Sequence, residues 1–195
     1  MNILVVNGSP KGKYSVTLQT SNWLQLKFPK CNFDVIHAGQ IIKKLERDFT
    51  EAKEKLEKAD LVIFSYPVYT FIAPCQLHRF IELMKESGID FSEKYATQIS
   101  TSKHFYDVTA HKYVEDNCYD MQFKYIKGLS ADMDDLTKEK GQEEARKFFS
   151  YVLWCIENEH YEPLPIKREP VALTPATVPA SDETNKGGDV VIVTD

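Results

Sequence analysis

The chain has 195 residues, 43% hydrophobic and 27% charged, which is long enough for a full core and ordinary for a folded globular protein. A net charge of −5 without any Lys/Arg block argues against a nucleic-acid partner, and no stretch approaches transmembrane length, so no membrane partner is expected. Cys31, Cys75, Cys118 and Cys155 lie far apart, form neither a C-x-x-C pair nor a compact Fe–S ligand run, and read as buried, reduced thiols of a cytoplasmic protein. The chain opens directly on a strand, so no signal peptide is expected.

The opening stretch is MNILVVNGSPKGKYSVT. Ile3–Val6 is a short apolar run rich in β-branched residues, the signature of a buried parallel strand. Asn7-Gly8-Ser9-Pro10 breaks it with turn residues. Lys11, Gly12, Lys13, Ser15 and Thr17 then lead into a helix over Val16–Leu26, with Val16, Trp23, Leu24 and Leu26 as its apolar residues. Strand, small-residue loop and helix start together make an anion site, because the first helical N–H groups lack partners and the macrodipole is positive there. Hydroxyls and lysines at that point suit a phosphate. The loop is not a Walker A, since Gly8 and Gly12 are one residue too close and Tyr14 follows Lys13; it is neither G-x-G-x-x-G nor G-x-S-x-G.

Phe33–His37 is the next strand, and Ala38-Gly39 turns the chain. Ile41, Leu45, Phe49, Ala52 and Leu56 recur at spacings of three and four, with Asp48–Glu51 interrupting the helix and capping a second segment. Leu61–Phe64 is a third strand. The loop Tyr66–Pro74 has two prolines, no charge, and four large apolar or aromatic side chains (Tyr66, Tyr69, Phe71, Ile72). Loops face water, so this one calls for a cover, and a planar apolar ring at the carboxyl ends of the strands would provide it.

Cys75–Lys85 is a helix with Leu77, Phe80, Ile81 and Met84 inward, stopped by Gly88. Tyr95–Thr101 is a fourth strand, and Thr101–Phe105 forms a third loop on the ligand side. A helix over Phe105–Tyr119 has Val108, Tyr113 and Cys118 for packing. His104 and His111 have no further ligands nearby, so no metal is expected. Met121–Ile126 alternates as a strand ended by Gly128. Ala131–Asp135 lacks the EF-hand pattern and reads as a cap on the helix Leu136–Asn158, whose buried face is Ala145, Phe148, Phe149, Val152, Leu153 and Ile156. Residues 159–182 hold five of the nine prolines and read as an extended arm. Asp189–Val193 reads as a strand, either pairing with a sheet edge or opening a second domain. The expected division is therefore a domain over 1–158 and a C-terminal arm over 159–195.

Alternating strands and helices with unbroken apolar first and third strands mean an α/β doubly wound fold, a parallel sheet with helices on both faces. Five strands with a phosphate loop after the first suggest flavodoxin-like order 2-1-3-4-5, with the ligand at the switch point. Gly8-Ser9-Pro10-Lys11, Ser15-x-Thr17 and Ala59–Tyr69 with its P-x-Y element resemble the flavodoxin-like NAD(P)H-dependent FMN reductases, and the similarity continues to about residue 158. The resemblance implies FMN as cofactor and NAD(P)H as electron donor. It assigns Ser9, Lys11, Ser15 and Thr17 to the phosphate. Pro67, Val68, Tyr69 and Thr70 border the isoalloxazine, and Thr101 and Ser102 complete the site. No catalytic acid or base is assigned, because hydride transfer to the flavin needs none. An apolar patch of Tyr69, Phe71 and Ile72 fits a homodimer, which the resemblance also implies.

Three readings stay open. One is a reductase passing electrons to a small-molecule or protein acceptor. A second is an electron carrier without a nicotinamide site, part of a longer redox protein. The third is a phosphate-binding module without flavin. Neither Tyr66–Pro74 nor Thr101–Tyr106 carries Asp or Glu, which favours two-electron reductase chemistry over a low-potential carrier.

Overall fold

The computed structural model of the protein describes residues 1–103 and 107–164. The predicted strand Asp189–Val193, the arm beyond residue 164, and His104, Phe105 and Tyr106 lie outside the described residues. Among the described residues six strands and six α-helices follow one another: β1 (Asn2–Asn7), α1 (Val16–Lys27), β2 (Asn32–Ile36), α2 (Ala38–Leu45), α3 (Thr50–Lys58), β3 (Leu61–Pro67), α4 (Cys75–Glu86), β4 (Tyr95–Ser102), α5 (Val108–Asp120), β5 (Lys124–Tyr125), β6 (Leu129–Asp132) and α6 (Glu139–Glu157). The sheet is parallel in the order β2-β1-β3-β4-β5, with β6 also on β4. This is the flavodoxin-like order.

Alternation along each strand divides the core in two. Leu4, Val6, Val62, Phe64 and Tyr66 face Leu45, Leu56, Leu77, Phe80, Met84 and Val114 from α2 to α5. Ile3, Val5, Leu61, Ile63 and Ile99 face Leu18 and Leu24 of α1 and Ala145, Phe149 and Val152 of α6. Among the described residues no helix is long and apolar enough to cross a membrane.

Several expectations are corrected. Leu26 is 78% exposed, because it lies two residues from the buried Leu24 and so on the opposite side of α1. The inward face of α1 is instead Thr17, Leu18, Thr20, Ser21 and Leu24. Val108 is 75% exposed for the same geometric reason, since α5 buries Ala110, Val114 and Cys118 at spacings of four. Cys75 is exposed at the start of α4, whereas Cys118 and Cys155 are buried and Cys31 partly so.

The strand expected over Met121–Ile126 is only the two-residue β5, and the ladder resumes as β6 after Gly128. At Gly128 the backbone passes directly over Gln98: a Cβ there would sit 2.3 Å from Gln98 Cγ and 2.5 Å from its carbonyl oxygen. Alternation does not register such a close approach, which only glycine permits. Ala131 and Asp132 belong to β6, and the Asp135 carboxylate accepts the Asp132 N–H at 2.7 Å, so these residues pin a turn and do not cap α6. That helix starts behind Lys138 with no side-chain cap. Beyond α6 the chain stays on the sheet, with the Glu162 N–H donating to the Tyr125 carbonyl at 2.8 Å.

A buried polar cluster holds the centre. The Tyr66 hydroxyl donates to Gln98 Oε1 at 2.5 Å, and Gln98 Nε2 donates to the Tyr125 hydroxyl and to the His111 carbonyl at 3.0 Å. Burial pushes both phenols far above their ordinary pKa, so they remain neutral. Because Gly128 lies against the Gln98 side chain, Gly128→Ala should destabilise the protein by about 1–3 kcal/mol. Urea unfolding monitored by circular dichroism measures this, and an unchanged midpoint would contradict the close packing.

Candidate functional site

The order β2-β1-β3 reverses the direction of winding between β1 and β3, which leaves a crevice beyond their carboxyl ends. Three segments meet there. The loop Gly8–Ser15 leaves β1, residues 68–74 leave β3, and Ser102 ends β4. Three hydrogen bonds tie them together. Gly8 N–H donates to the Ser65 carbonyl at 2.9 Å, Val68 N–H donates to the Thr101 carbonyl at 3.0 Å, and the hydroxyls of Thr17 and Thr101 are 2.6 Å apart.

In the first loop Ser9 is buried, and its hydroxyl accepts the Lys11 N–H at 3.3 Å while its carbonyl accepts the Gly12 N–H at 3.0 Å. Gly12 has φ +53°, a left-handed conformation that suits glycine. Ser15 caps α1 by accepting the Leu18 N–H at 3.4 Å, and its carbonyl accepts the Gln19 N–H. The N–H groups of Val16 and Thr17 have no hydrogen-bond partner among the described residues. Two bare donors at the positive end of a helix, beside two serine hydroxyls and the exposed Lys11, fit a phosphate.

Asn7 was absent from the sequence-predicted set and proves central to this loop. Its Oδ1 accepts the Ser9 N–H at 3.1 Å, and its Nδ2 reaches the Gly12 carbonyl at 2.9 Å and His37 Nδ1 at 3.1 Å. In the sequence, Asn7-Gly8 reads as a turn dipeptide, which hides the carboxamide's role.

The second loop begins with Pro67 in register with Thr101. Tyr69 and Ile72 exchange backbone hydrogen bonds at 2.9 and 3.2 Å across a tight turn. Its central residues, Thr70 and Phe71, have φ +46° and +74°. A β-branched and an aromatic residue in the left-handed region each cost about 1–2 kcal/mol, a strain that surrounding contacts must hold. Tyr69, Phe71 and Ile72 are 43%, 47% and 45% exposed, an apolar rim on the crevice.

Ser9, Lys11, Ser15, Thr17, Pro67, Val68, Tyr69, Thr70, Thr101 and Ser102 therefore all lie at the carboxyl side of the sheet. Thr17 differs from expectation in its partner, since its hydroxyl is turned onto Thr101. The structure also brings in a segment that the sequence reading left out. Because β6 pairs with β4, Asp132 stands in register beside Ser102, so an acidic residue does border the crevice. Its position depends on the break at Gly128, which the sequence pattern concealed. Among the described residues no three His, Cys, Asp or Glu groups converge as a metal site; the Nε2 of His111 is 2.7 Å from the Ser100 hydroxyl.

A family model described as NADPH-dependent FMN reductase matches residues 1–128. No curated protein matches the sequence. Among solved structures, the chain is similar to an NADH:FMN oxidoreductase in its apo form, with a TM-score of 0.65 and 17% identity over 77% of this chain and 87% of that one. It is similar to an FMN-dependent NADH-azoreductase from Bacillus anthracis in complex with FMN (TM-score 0.57, 13% identity, 77% and 98% covered). General stress protein 14 of Treponema denticola, also in complex with FMN, is a third (TM-score 0.59, 11% identity, 78% and 98% covered). At such identities the shared feature is the fold.

The Thr17–Thr101 contact yields a thermodynamic cycle. Thr17→Val or Thr101→Val leaves one buried hydroxyl without a partner and should cost about 1–3 kcal/mol of stability. The double variant should lose less than the two singles together, with a coupling of about 1 kcal/mol. Strict additivity in chemical denaturation would show that the pair does not form.

Proposed function

Because the chain belongs to the NADPH-dependent FMN reductase family, we propose that it is an oxidoreductase that binds FMN in this crevice and moves electrons from NAD(P)H to an acceptor. The observation that carries the reading is the pair of unpartnered N–H groups of Val16 and Thr17, flanked by Ser9, Lys11 and Ser15 at the switch point. Those groups hold the phosphate. Pro67, Val68, Tyr69 and Thr70 border the ring, with Thr70 in the left-handed conformation. Thr101 and Ser102 form the floor between them. Thr17 contributes its N–H to the phosphate, while its hydroxyl braces Thr101.

Bound FMN supplies the hydride and electron chemistry. The protein's own work is to bind, orient and shield. The buried Tyr66–Gln98–Tyr125 cluster fixes the end of β3 from below, so that the loop above it keeps one geometry. The apolar rim of Tyr69, Phe71 and Ile72 excludes water from one side of the crevice.

A second reading, an electron carrier without a nicotinamide site, draws on one observation: Asp132 beside Ser102 adds the acidic neighbour that the sequence alone did not provide. A negative charge near the ring disfavours the reduced, anionic cofactor.

The reductase reading predicts that the purified protein absorbs in the visible range and that anaerobic NADPH or NADH bleaches it with uptake of two electrons in one step. Failure of both nucleotides to bleach a flavin-loaded protein would favour the carrier. Lys11→Ala should weaken FMN about ten- to a hundredfold through loss of a charge-assisted contact, and an unchanged dissociation constant would remove Lys11 from the site. The exposed apolar rim supports a homodimer; light scattering of the FMN-loaded protein at micromolar concentration should give twice the chain mass, and a monomer would exclude it.

A further inference from the structure

We propose that Asn7 and His37 are positioning residues of the phosphate-binding loop: the Asn7 carboxamide fixes the loop that presents the Val16 and Thr17 N–H groups, and a neutral His37 imidazole fixes the carboxamide. This rests on the FMN reading above.

Asn7 is the last residue of β1 and is wholly buried. Its contacts determine which way the amide points. Oδ1 accepts from the Ser9 N–H at 3.1 Å, and Nδ2 donates to the Gly12 carbonyl at 2.9 Å. Exchanging oxygen and nitrogen would set acceptor against acceptor at Gly12 and donor against donor at Ser9. Nδ2 has two hydrogens; one goes to Gly12, and the other points at His37 Nδ1, 3.1 Å away. His37 Nδ1 must therefore accept, which makes the imidazole neutral with its proton on Nε2.

The loop is bound to this arrangement at both ends. The Gly12 carbonyl also receives the Ser15 N–H at 3.0 Å, and Ser15 caps α1. Asn7 thus acts on the helix start through one shared oxygen. On the other side the β2–α2 corner presses on the loop. A Cβ on Gly39 would lie 2.3 Å from the Ser9 carbonyl carbon, and one on Gly12 would lie 2.0 Å from the Gln40 side chain. The corner that carries His37 is packed against the loop and cannot swing away without disturbing it.

A cation at position 37 has two opposite effects that can be separated. By charge alone it would attract a phosphate. By hydrogen bonding it would place a donor against the Asn7 N–H and release the loop. The loop's own charges are Lys11 and Lys13, and the segment Gly8–Thr17 has no Asp or Glu to offset them. The groove that His37 lines carries Lys44 and Asp48 from the α2 side and Glu51 and Lys55 from α3.

The test measures FMN dissociation constants by flavin fluorescence for the native protein, His37→Asn and His37→Lys. His37→Asn puts an acceptor oxygen where Nδ1 stands and should bind within about threefold of native. His37→Lys should bind about tenfold more weakly despite its added positive charge. Equal or tighter binding by His37→Lys would overturn the proposal. Nitrogen NMR of the His37 imidazole needs no flavin and should show a bare Nδ1 and a protonated Nε2. If the native protein fails to bind FMN, the functional reading falls; the tautomer then decides the Asn7–His37 contact alone, with a protonated Nδ1 refuting it.

Discussion

The pairing of β1 with β2 on one side and β3 on the other is the constraint from which the site follows. All three strands run parallel, so each must be rejoined by a helix, and the two directions of winding part above β1. The fully buried run Ile3–Val6 can stand only at the centre of such a sheet, with both faces covered. Its carboxyl end therefore opens into the crevice where the two directions of winding part. The chain must pass there from a fully bonded strand to a helix whose first N–H groups have no internal partner. Asn7, Ser9 and Ser15 satisfy some of the polar groups on the way, and the N–H groups of Val16 and Thr17 have no partner among the described residues.

The parts legible in the sequence are those governed by burial. Unbroken apolar runs located β1 and β3, and spacings of three and four located α2, α3, α4 and α6. The first loop could be read as an anion site from residue types alone, because helix starts, hydroxyls and lysines have a local physical meaning. What stayed hidden depends on contacts distant in sequence. Thr17 meets Thr101 across 84 positions, and no periodicity records a hydroxyl pair. Gly128 looked like a stop and is a close crossing over Gln98, which splits one edge strand into two and delivers Asp132 to the crevice. Leu26 is apolar and Val108 is expected to pack, but the angular position of each on its helix puts both outside.

The polar groups inside the sheet explain why the second loop can hold an unfavourable backbone. Tyr66 is the residue before Pro67, and its hydroxyl is bound to Gln98, which is in turn bound to Tyr125 and to the backbone of α5 at His111. A buried network with every member bonded is rigid, because breaking any member strands the others in low dielectric. Val68 is then fastened to Thr101 from the side. Two residues later the chain adopts left-handed geometry at Thr70 and Phe71, which a loosely held loop would relax. The order along the chain is thus a fully bonded strand end, one lateral anchor, and then the strained turn.

The two loops of the crevice reach preorganisation by different physical means. The first is held by hydrogen bonds within a loop rich in small residues and leaves backbone donors bare, an arrangement that suits an anion. The second is held by proline, a lateral anchor and strain and leaves apolar side chains outward, an arrangement that suits a flat ring offering area and few charges. Exchanging the two solutions would fail. A Cβ at Gly8 would collide with Leu77, one at Gly39 in the β2–α2 corner would collide with the Ser9 backbone, and Gly12 is left-handed. A glycine-rich second loop would lose both its rim and the stiffness that keeps the rim in place.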